Sequence, residues 1–143
     1  MDFIESYKDV TEKIIGCAFQ VYNKMGFGFL ESVYQNCLLI ELRKTGLRVE
    51  SPKQIAVFYE GESVGDFVAD MVVGGEIVVE LKSVRQLAKA HEVQLVNYLV
   101  AINKPVGLLI NFGELKVDVK RKIKQLPSNN TASEQICDDI ELV

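Results

Sequence analysis

The sequence predicts an α/β domain in which helices pack against a mixed β-sheet. Apolar residues recur at helical spacing in residues 8–24 and 30–44, and from Leu47 onwards the pattern changes to the alternation typical of strands. A third helical pattern, in residues 84–102, lies between strand-like runs. The order helix, helix, strands, helix, strands therefore indicates layers around one sheet.

Each predicted helix has a clear end. The first carries Ile14 and its neighbours at helical spacing and stops at Gly26-Phe27-Gly28, since glycine readily takes the left-handed geometry of a C-terminal cap. The second runs from about Leu30 to Lys44 and stops before Gly46. The third ends before Lys104-Pro105, where the helical pattern breaks.

The strands are predicted from short runs of alternating or wholly apolar residues that are bounded by turn residues. These runs are residues 48–50, 55–59, 64–73, 76–82, 106–111 and 115–123. Gly74-Gly75 indicates an antiparallel hairpin between the third and fourth runs. The run 106–111 is apolar on both faces, which is typical of an interior strand.

The 143 residues fit one domain, but their charge is uneven. Residues 125–143 contain four acidic and no basic residues, which predicts a mobile acidic tail after a folded domain at residues 1–124. Without the tail, the 20 acidic residues of the chain fall to 16 and balance the 16 Lys and Arg residues. The net charge of -4 therefore does not exclude a nucleic-acid partner for the folded part.

Composition excludes several other classes of protein. No apolar run approaches the ~20 residues that span a bilayer, and the N-terminus lacks the layout of a signal peptide, so we expect a cytoplasmic protein without membrane contact. Cys17, Cys37 and Cys137 form no Cys-x-x-Cys pair, and the chain has one histidine. This pattern argues against a zinc site and against a disulfide framework.

Basic residues crowd together near the end of the predicted domain. They are Lys116, Lys120, Arg121, Lys122 and Lys124. If the last strand is regular, Lys116, Lys120 and Lys122 share one face and are candidates for binding a nucleic-acid backbone. An edge strand that solvated lysines protect from aggregation would have the same pattern, so both interpretations remain open.

The tripeptide Glu80-Leu81-Lys82 is the strongest chemical signal in the sequence. On a strand, Glu80 and Lys82 project from the same face while Leu81 points into the core. Asp70, ten residues earlier, supplies a second carboxylate. Carboxylates can hold a divalent metal ion while a lysine positions water or steadies negative charge, which fits a hydrolytic centre. A solvated hairpin face would also explain these three charges.

The length of the hairpin loop separates these two interpretations. A two-residue loop pairs Val73 with Glu76 and turns Asp70 away from Glu80. A three-residue loop, or one bulge, pairs Asp70 with Glu80 and places both carboxylates on one face. The metal interpretation therefore predicts the longer loop or a bulge.

Two helices offer further candidates. Glu31 opens the second helix, where the helix dipole favours an acid, but it also borders the apolar Tyr34 and so could meet a metal ion or Lys82. His91 and Gln94 share a stripe of the third helix. They could reach a phosphate, or they could mark the boundary between core and solvent.

The segment Gly28-Phe29-Leu30-Glu31-Ser32-Val33-Tyr34 resembles the signature of the GxxExxY protein family, a group within the PD-(D/E)XK nuclease superfamily. The likeness covers about residues 8–124 and extends through Ala69-Asp70, Val79-Glu80-Leu81-Lys82, His91, the segment 94–99 and the segment 107–113. Ala69 stands where the superfamily's motif has proline. That proline is not a ligand, and the three charged motif positions are present.

The resemblance implies a restriction-endonuclease-like core, with a central mixed sheet flanked by helices. It also implies that Asp70 and Glu80 bind Mg²⁺ or Mn²⁺, with the carbonyl of Leu81 as a further ligand and Glu31 as an acid that joins the site. Hard oxygen ligands of this kind suit Mg²⁺ better than zinc.

The same resemblance gives Lys82 the task of orienting or activating the attacking water, and it matches Gln94 to a polar helix residue beside the site. The hypothesis that follows is a metal-dependent nuclease acting on DNA or RNA, with a homodimer as a plausible assembly. A non-catalytic nucleic-acid or protein interaction module with the same fold is the alternative. A third hypothesis is a subunit of a larger complex that docks through residues 125–143.

Overall fold

Three helices and seven strands make up the part of the chain that the structure, a computed structural model, describes: residues 7–124. The helices are α1 (Lys8–Met25), α2 (Glu31–Lys44) and α3 (Lys89–Ile102). The strands are β1 (Val49–Glu50), β2 (Lys53–Tyr59), β3 (Glu62–Ala69), β4 (Met71–Val73), β5 (Ile77–Lys82), β6 (Val106–Phe112) and β7 (Val117–Ile123). The predicted tail, residues 125–143, lies outside the described residues.

The strands form two sheets. The larger has five strands in the order β1-β4-β5-β6-β7, and β2 and β3 form a separate two-stranded hairpin. Only β5 and β6 pair in parallel within the larger sheet, and α3 makes the crossover between them. The predicted α/β class with a mixed sheet and flanking helices is therefore confirmed.

Two apolar layers cover the larger sheet. On one face, α1 and α2 bury Ile14 and Leu38 against strand residues such as Leu81. On the other face, α3 and the β2–β3 hairpin bury Leu95 and Phe67 in a second cluster. Charged residues that face this second layer must therefore lie at its margins or find partners.

The predicted strand 64–73 is two strands. Ala69 pairs with Lys53 in the small hairpin, whereas Met71 pairs with Val79 in the larger sheet, so the chain changes sheets at Asp70. Apolar alternation continues through the change and does not reveal it, because the pattern records which residues are buried and not which strand they pair with.

The third helix begins five residues later than predicted, at Lys89 instead of Val84. The side chain of Asn111 accepts a hydrogen bond from the Val84 N–H at 3.0 Å and donates one to the Val84 carbonyl at 2.9 Å. Asn111 is fully buried, so this pair of bonds satisfies its amide and occupies the Val84 backbone. The approach to α3 is consequently a non-helical loop.

No helix in residues 7–124 is long and apolar enough to cross a membrane.

Gly107 sets how closely α3 approaches the sheet. A Cβ atom at this position would lie 3.1 Å from methyl groups of Leu95 and Leu99 on α3. The helix that carries His91 and Gln94 therefore packs on a strand position that has no side chain.

We expect Gly107→Ala to lower the free energy of unfolding by about 1–2 kcal/mol, because the added methyl overpacks the contact between α3 and β6. Gly16→Ala on the exposed side of α1 is the matched control, since nothing lies within 4 Å of its Cβ position. That control should stabilise the protein by up to ~1 kcal/mol through helix propensity. Urea unfolding measures both, and equal effects would contradict the packing argument.

Candidate active site

The hairpin between β4 and β5 brings two acids to one face of the sheet. Val73 pairs with Ile77 and Met71 pairs with Val79, so the loop has three residues, Gly74 to Glu76. The next step of this register places Asp70 opposite Glu80. The three-residue loop that the metal interpretation predicted is therefore present.

Hydrogen bonds fix the backbone N–H, the carbonyl and one carboxylate oxygen of Asp70. Its carbonyl accepts bonds from Ser51 Oγ at 2.7 Å and from Gln35 Nε2 at 3.1 Å. Its N–H donates to Glu80 Oε1 at 3.3 Å, and its Oδ2 accepts from the Leu81 N–H at 2.7 Å. These bonds hold the chain at the point where it passes between the two sheets, and they fix the direction of the Asp70 carboxylate.

Strand alternation places the next residues as predicted. Leu81 is buried in the core layer under α1 and α2, while Glu80 and Lys82 project from the opposite face. Burial and the neighbouring Asp70 carboxylate raise the pKa of Glu80 to about 8. Burial also raises the pKa of Asp70, against the opposing effects of the Leu81 N–H and the Lys82 ammonium. The two acids thus share a partly desolvated site in which their charges repel.

Glu31 lies beside Lys82. Its Oε1 is 4.0 Å from Lys82 Nζ, and its charge is close enough to help raise the pKa of Glu80. No group of three or more His, Cys, Asp or Glu residues in the described range 7–124 is arranged to hold a metal ion. In this geometry Glu31 faces the lysine and does not complete a three-acid cluster with Asp70 and Glu80.

The turn before α2 explains how Glu31 reaches this place. The buried Tyr34 stacks on Phe112, with 4.3 Å between the ring centroids, and its hydroxyl donates to the carbonyl of Gly26. Ser83, just after β5, donates from its Oγ to the carbonyl of Phe29 at 2.7 Å. The start of α2 is therefore tied to the end of the strand that carries Lys82.

A cavity of about 280 Å³ opens over this face. Its charged and polar lining includes Asp66, Glu80, Lys82, His91 and Gln94, and β3, β6 and the middle of α3 supply the apolar remainder. Asp70 borders Glu80 but is not among the lining residues. His91 and Gln94 of α3 therefore lie in the same cavity as Glu80 and Lys82.

His91 has a defined tautomer in this cavity. Its Nδ1 accepts a hydrogen bond from the N–H of Ala88 at 3.2 Å, at the N-terminal cap of α3. An accepting Nδ1 carries no proton, so the proton of the neutral ring is on Nε2. The ring therefore has a remaining N–H donor that can serve a ligand in the cavity.

The basic residues of the last strand do not form one open face. Lys122 is fully buried, and its Nζ lies 2.8 Å from Glu92 Oε1 on α3. The expectation that Lys122 could hold a nucleic-acid backbone is therefore wrong, because α3 covers that end of β7. Lys116 pairs with Asp118 at 3.5 Å, and Lys120 lies across from Leu109 on the sheet face that carries Glu80.

The side chains present fit a divalent cation. Asp70 and Glu80 offer hard carboxylate oxygens, and the Leu81 carbonyl lies on the same stretch of strand. A cation would offset both causes of the raised pKa values, the burial of the carboxylates and their mutual repulsion. The fit depends on this pair of acids.

A family model described as the PD-(D/E)XK nuclease superfamily matches residues 8–122. The chain belongs to the PD-(D/E)XK nuclease superfamily. The fold agrees with this, since the crystal structure of SSO0001 superposes with a TM-score of 0.54 over 87% of this chain. At 19% identity that likeness concerns the fold, and this chain covers 62% of the length of SSO0001. No curated protein matches the sequence.

Two residues that hold Asp70 in place were not predicted. Gln35 and Ser51 both bind the carbonyl of Asp70, and Gln35 also donates to Ser51 Oγ at 3.0 Å. Gln35 shares a helical stripe with Glu31, which was a usable signal. Nothing in the sequence places Ser51 next to a residue nineteen positions later, because that contact depends on how the two sheets meet.

The pKa of Glu80 predicts a pH-dependent stability in the absence of metal. Between the unfolded value of 4.5 and about 8, the unfolded chain loses a proton that the folded chain keeps, so the free energy of unfolding falls as pH rises. The slope for one proton approaches ~1.4 kcal/mol per pH unit. We expect Glu80→Gln to remove this fall and to gain stability relative to the unmodified protein as pH increases.

Urea unfolding at pH 5, 6.5 and 8 in EDTA measures the effect. Glu62→Gln, an exposed acid at the start of β3, is the charge-matched control and should keep the pH dependence of the unmodified protein. Parallel pH curves for Glu80→Gln and the unmodified protein would contradict the assignment.

Proposed function

We propose that this PD-(D/E)XK protein is a metal-dependent nuclease that hydrolyses phosphodiester bonds of DNA or RNA. One observation carries the proposal: the hairpin register places Asp70 opposite Glu80, with Lys82 on the same face and a cavity over it. A solvated hairpin face does not require two partly buried acids held by dedicated hydrogen bonds. The intact acid pair and lysine also argue against a module that kept only the fold.

Each residue has a task in this mechanism. Asp70 and Glu80, with the Leu81 carbonyl, would hold Mg²⁺ or Mn²⁺, which would supply Lewis-acid polarisation of the scissile phosphate and lower the pKa of the attacking water. Lys82 orients that water and stabilises the negative charge that develops on the phosphate. Glu31, 4.0 Å from the Lys82 ammonium, keeps it directed at the site.

Two residues of α3 bind the substrate in this scheme. The Gln94 side-chain amide and the Nε2–H of His91 line the cavity that holds Glu80 and Lys82, and both can donate hydrogen bonds to phosphate oxygens. Because the Ala88 N–H occupies Nδ1, the donor that His91 offers to a ligand is its Nε2–H.

We propose further a family group, a cellular location, a domain boundary and an oligomeric state for this protein. The segment from Gly28 to Tyr34 supports membership of the GxxExxY group, and the dispersed cysteines support a cytoplasmic location. Residues 1–124 are proposed as the nuclease domain and residues 125–143 as an acidic tail. A homodimer would allow two sites to act on two strands.

We expect cleavage of a panel of single-stranded, double-stranded and branched DNA and RNA to require Mg²⁺ or Mn²⁺. Lys82→Ala should lower the rate at least about 100-fold, because it removes stabilisation of the transition-state charge. Lys13→Ala, on the exposed side of α1, is the matched control and should cleave normally. Equal cleavage by Lys82→Ala would reject the role of Lys82.

The metal requirement is tested at the same time by thermal unfolding. Mg²⁺ or Mn²⁺ at about ten times its dissociation constant should stabilise the folded state by ~1.4 kcal/mol, and Asp70→Asn should lose this gain. A protein that binds nucleic acid equally well with and without the Asp70→Asn change, and that cleaves nothing, would instead be an interaction module.

Two substitutions separate the roles of His91. His91→Asn keeps an acceptor for the Ala88 N–H but loses the distal donor, so we expect about a tenfold loss in kcat/KM with stability unchanged. Gln at the third helical position can accept from the N-cap N–H and still offers an amide donor, so His91→Gln should retain more activity than His91→Asn and keep its stability within about 0.5 kcal/mol. Kinetics and urea unfolding of both proteins measure this contrast, and equal activity of the two would leave His91 as a helix cap only.

A further inference from the structure

A second cavity, of about 440 Å³, lies away from the acid pair and is rich in basic residues. Arg48, Lys53 and Lys104 line it, and Glu50 is the one acid among its lining residues. Ile55 and Val72 contribute apolar surface. With three cations and one carboxylate, the cavity has an excess of positive charge in a chain whose net charge is negative.

These charges converge, and are not merely close along the sequence. Lys53 Nζ lies 2.7 Å from Glu50 Oε2. Lys53, Arg48 and Lys104 all lower the pKa of Glu50, Lys53 most strongly and through a direct hydrogen bond. The three cations therefore all lie near the Glu50 carboxylate.

Gly75 in the β4–β5 loop lies close to two of the cations. Its carbonyl accepts a hydrogen bond from Lys104 Nζ at 2.8 Å. A Cβ atom on Gly75 would lie 2.5 Å from Arg48 Nη2, so the guanidinium occupies space that any other residue would fill. An ammonium has three donors and a guanidinium has five, so both cations keep hydrogens for a further acceptor.

The β2–β3 hairpin lies between this cavity and the candidate active site. Asp66 and Val68 of β3 line the active-site cavity, and their direct partners on β2, Ala56 and Gln54, line the basic one. Paired strands are ~4.8 Å apart, so one flexible strand that crosses the hairpin could reach both cavities.

We propose that this basic cavity binds a phosphate group of the nucleic-acid strand, at a position away from the scissile phosphate. The inference rests on the proposed nuclease function, since it assigns a second contact to the same substrate. Arg48 and Lys104 bind the phosphate oxygens, while Glu50 holds Lys53 and limits the affinity for anions. Replacing Glu50 should therefore act in the opposite direction to replacing a cation.

The test measures binding of fluorescent single-stranded DNA and RNA oligonucleotides in EDTA, over a series of salt concentrations. Lys104→Gln and Arg48→Gln should each weaken binding about threefold to tenfold and reduce the salt slope by ~0.7, the value for one lost contact to a single strand. Glu50→Gln should tighten binding about threefold, in proportion to one exposed charge.

Matched controls carry the same change in net charge on the exposed side of α1. Lys13→Gln and Glu12→Gln should change binding by much less, and thermal unfolding should show that every variant folds. If Lys104→Gln and Glu50→Gln only reproduce these controls, the cavity is not a phosphate site. If Glu50→Gln weakens binding, the cluster is structural and the proposal fails.

A further arm identifies the source of the phosphate. Pyrophosphate should compete with the oligonucleotide in the unmodified protein and compete less in Lys104→Gln. Binding of pyrophosphate at this cavity without any effect on the oligonucleotide would overturn the assignment to nucleic acid. If the protein cleaves in Mg²⁺ but its cavity variants bind like their controls, only this inference is rejected. If the protein neither binds nor cleaves nucleic acid, the nuclease proposal is rejected as well.

Discussion

The hydrogen bonds around Asp70 are the constraint on which the candidate site depends. The chain leaves a small hairpin and enters a five-stranded sheet at this residue, and Ser51 and Gln35 hold its carbonyl at the change. The Leu81 N–H then fixes the carboxylate, and the Asp70 N–H meets Glu80. A regular strand would satisfy the same backbone groups through its neighbours and would leave the acid free to turn towards solvent. The bend therefore converts an ordinary surface aspartate into one of a pair of oriented acids.

Burying two neighbouring acids is costly to the folded chain. Burial raises the pKa of both acids, the Asp70 carboxylate raises that of Glu80 further, and the single ammonium of Lys82 offsets only part of these effects. Natural proteins retain such arrangements at sites of chemistry more often than at sites of structure alone. The superfamily match over residues 8–122 is an observation of a different kind, made on the sequence and not on these charges.

Much of the fold and part of the site could be predicted from the sequence. Alternation placed Leu81 in the core and Glu80 with Lys82 on the opposite face, because it depends only on the geometry of a strand. The division of the strand at Asp70 and the burial of Lys122 under α3 were beyond this kind of reasoning. Both depend on which element packs against which, and a residue's own neighbours in sequence carry no record of that. The hydrogen bond from Ser51 to the Asp70 carbonyl is a long-range contact of the same kind.

The division of the strands into two sheets gives the site a mechanical property. Asp70 is the single residue between β3 and β4, and β3 also lines the cavity that Glu80 lines. Asp70 is one of two covalent links between the small hairpin and the larger sheet, the other being residues 51–52, so a displacement of the hairpin would also act on Asp70. A displacement of the small hairpin would therefore move a candidate metal ligand. The affinity of the site for a cation would then depend on what is bound across the hairpin.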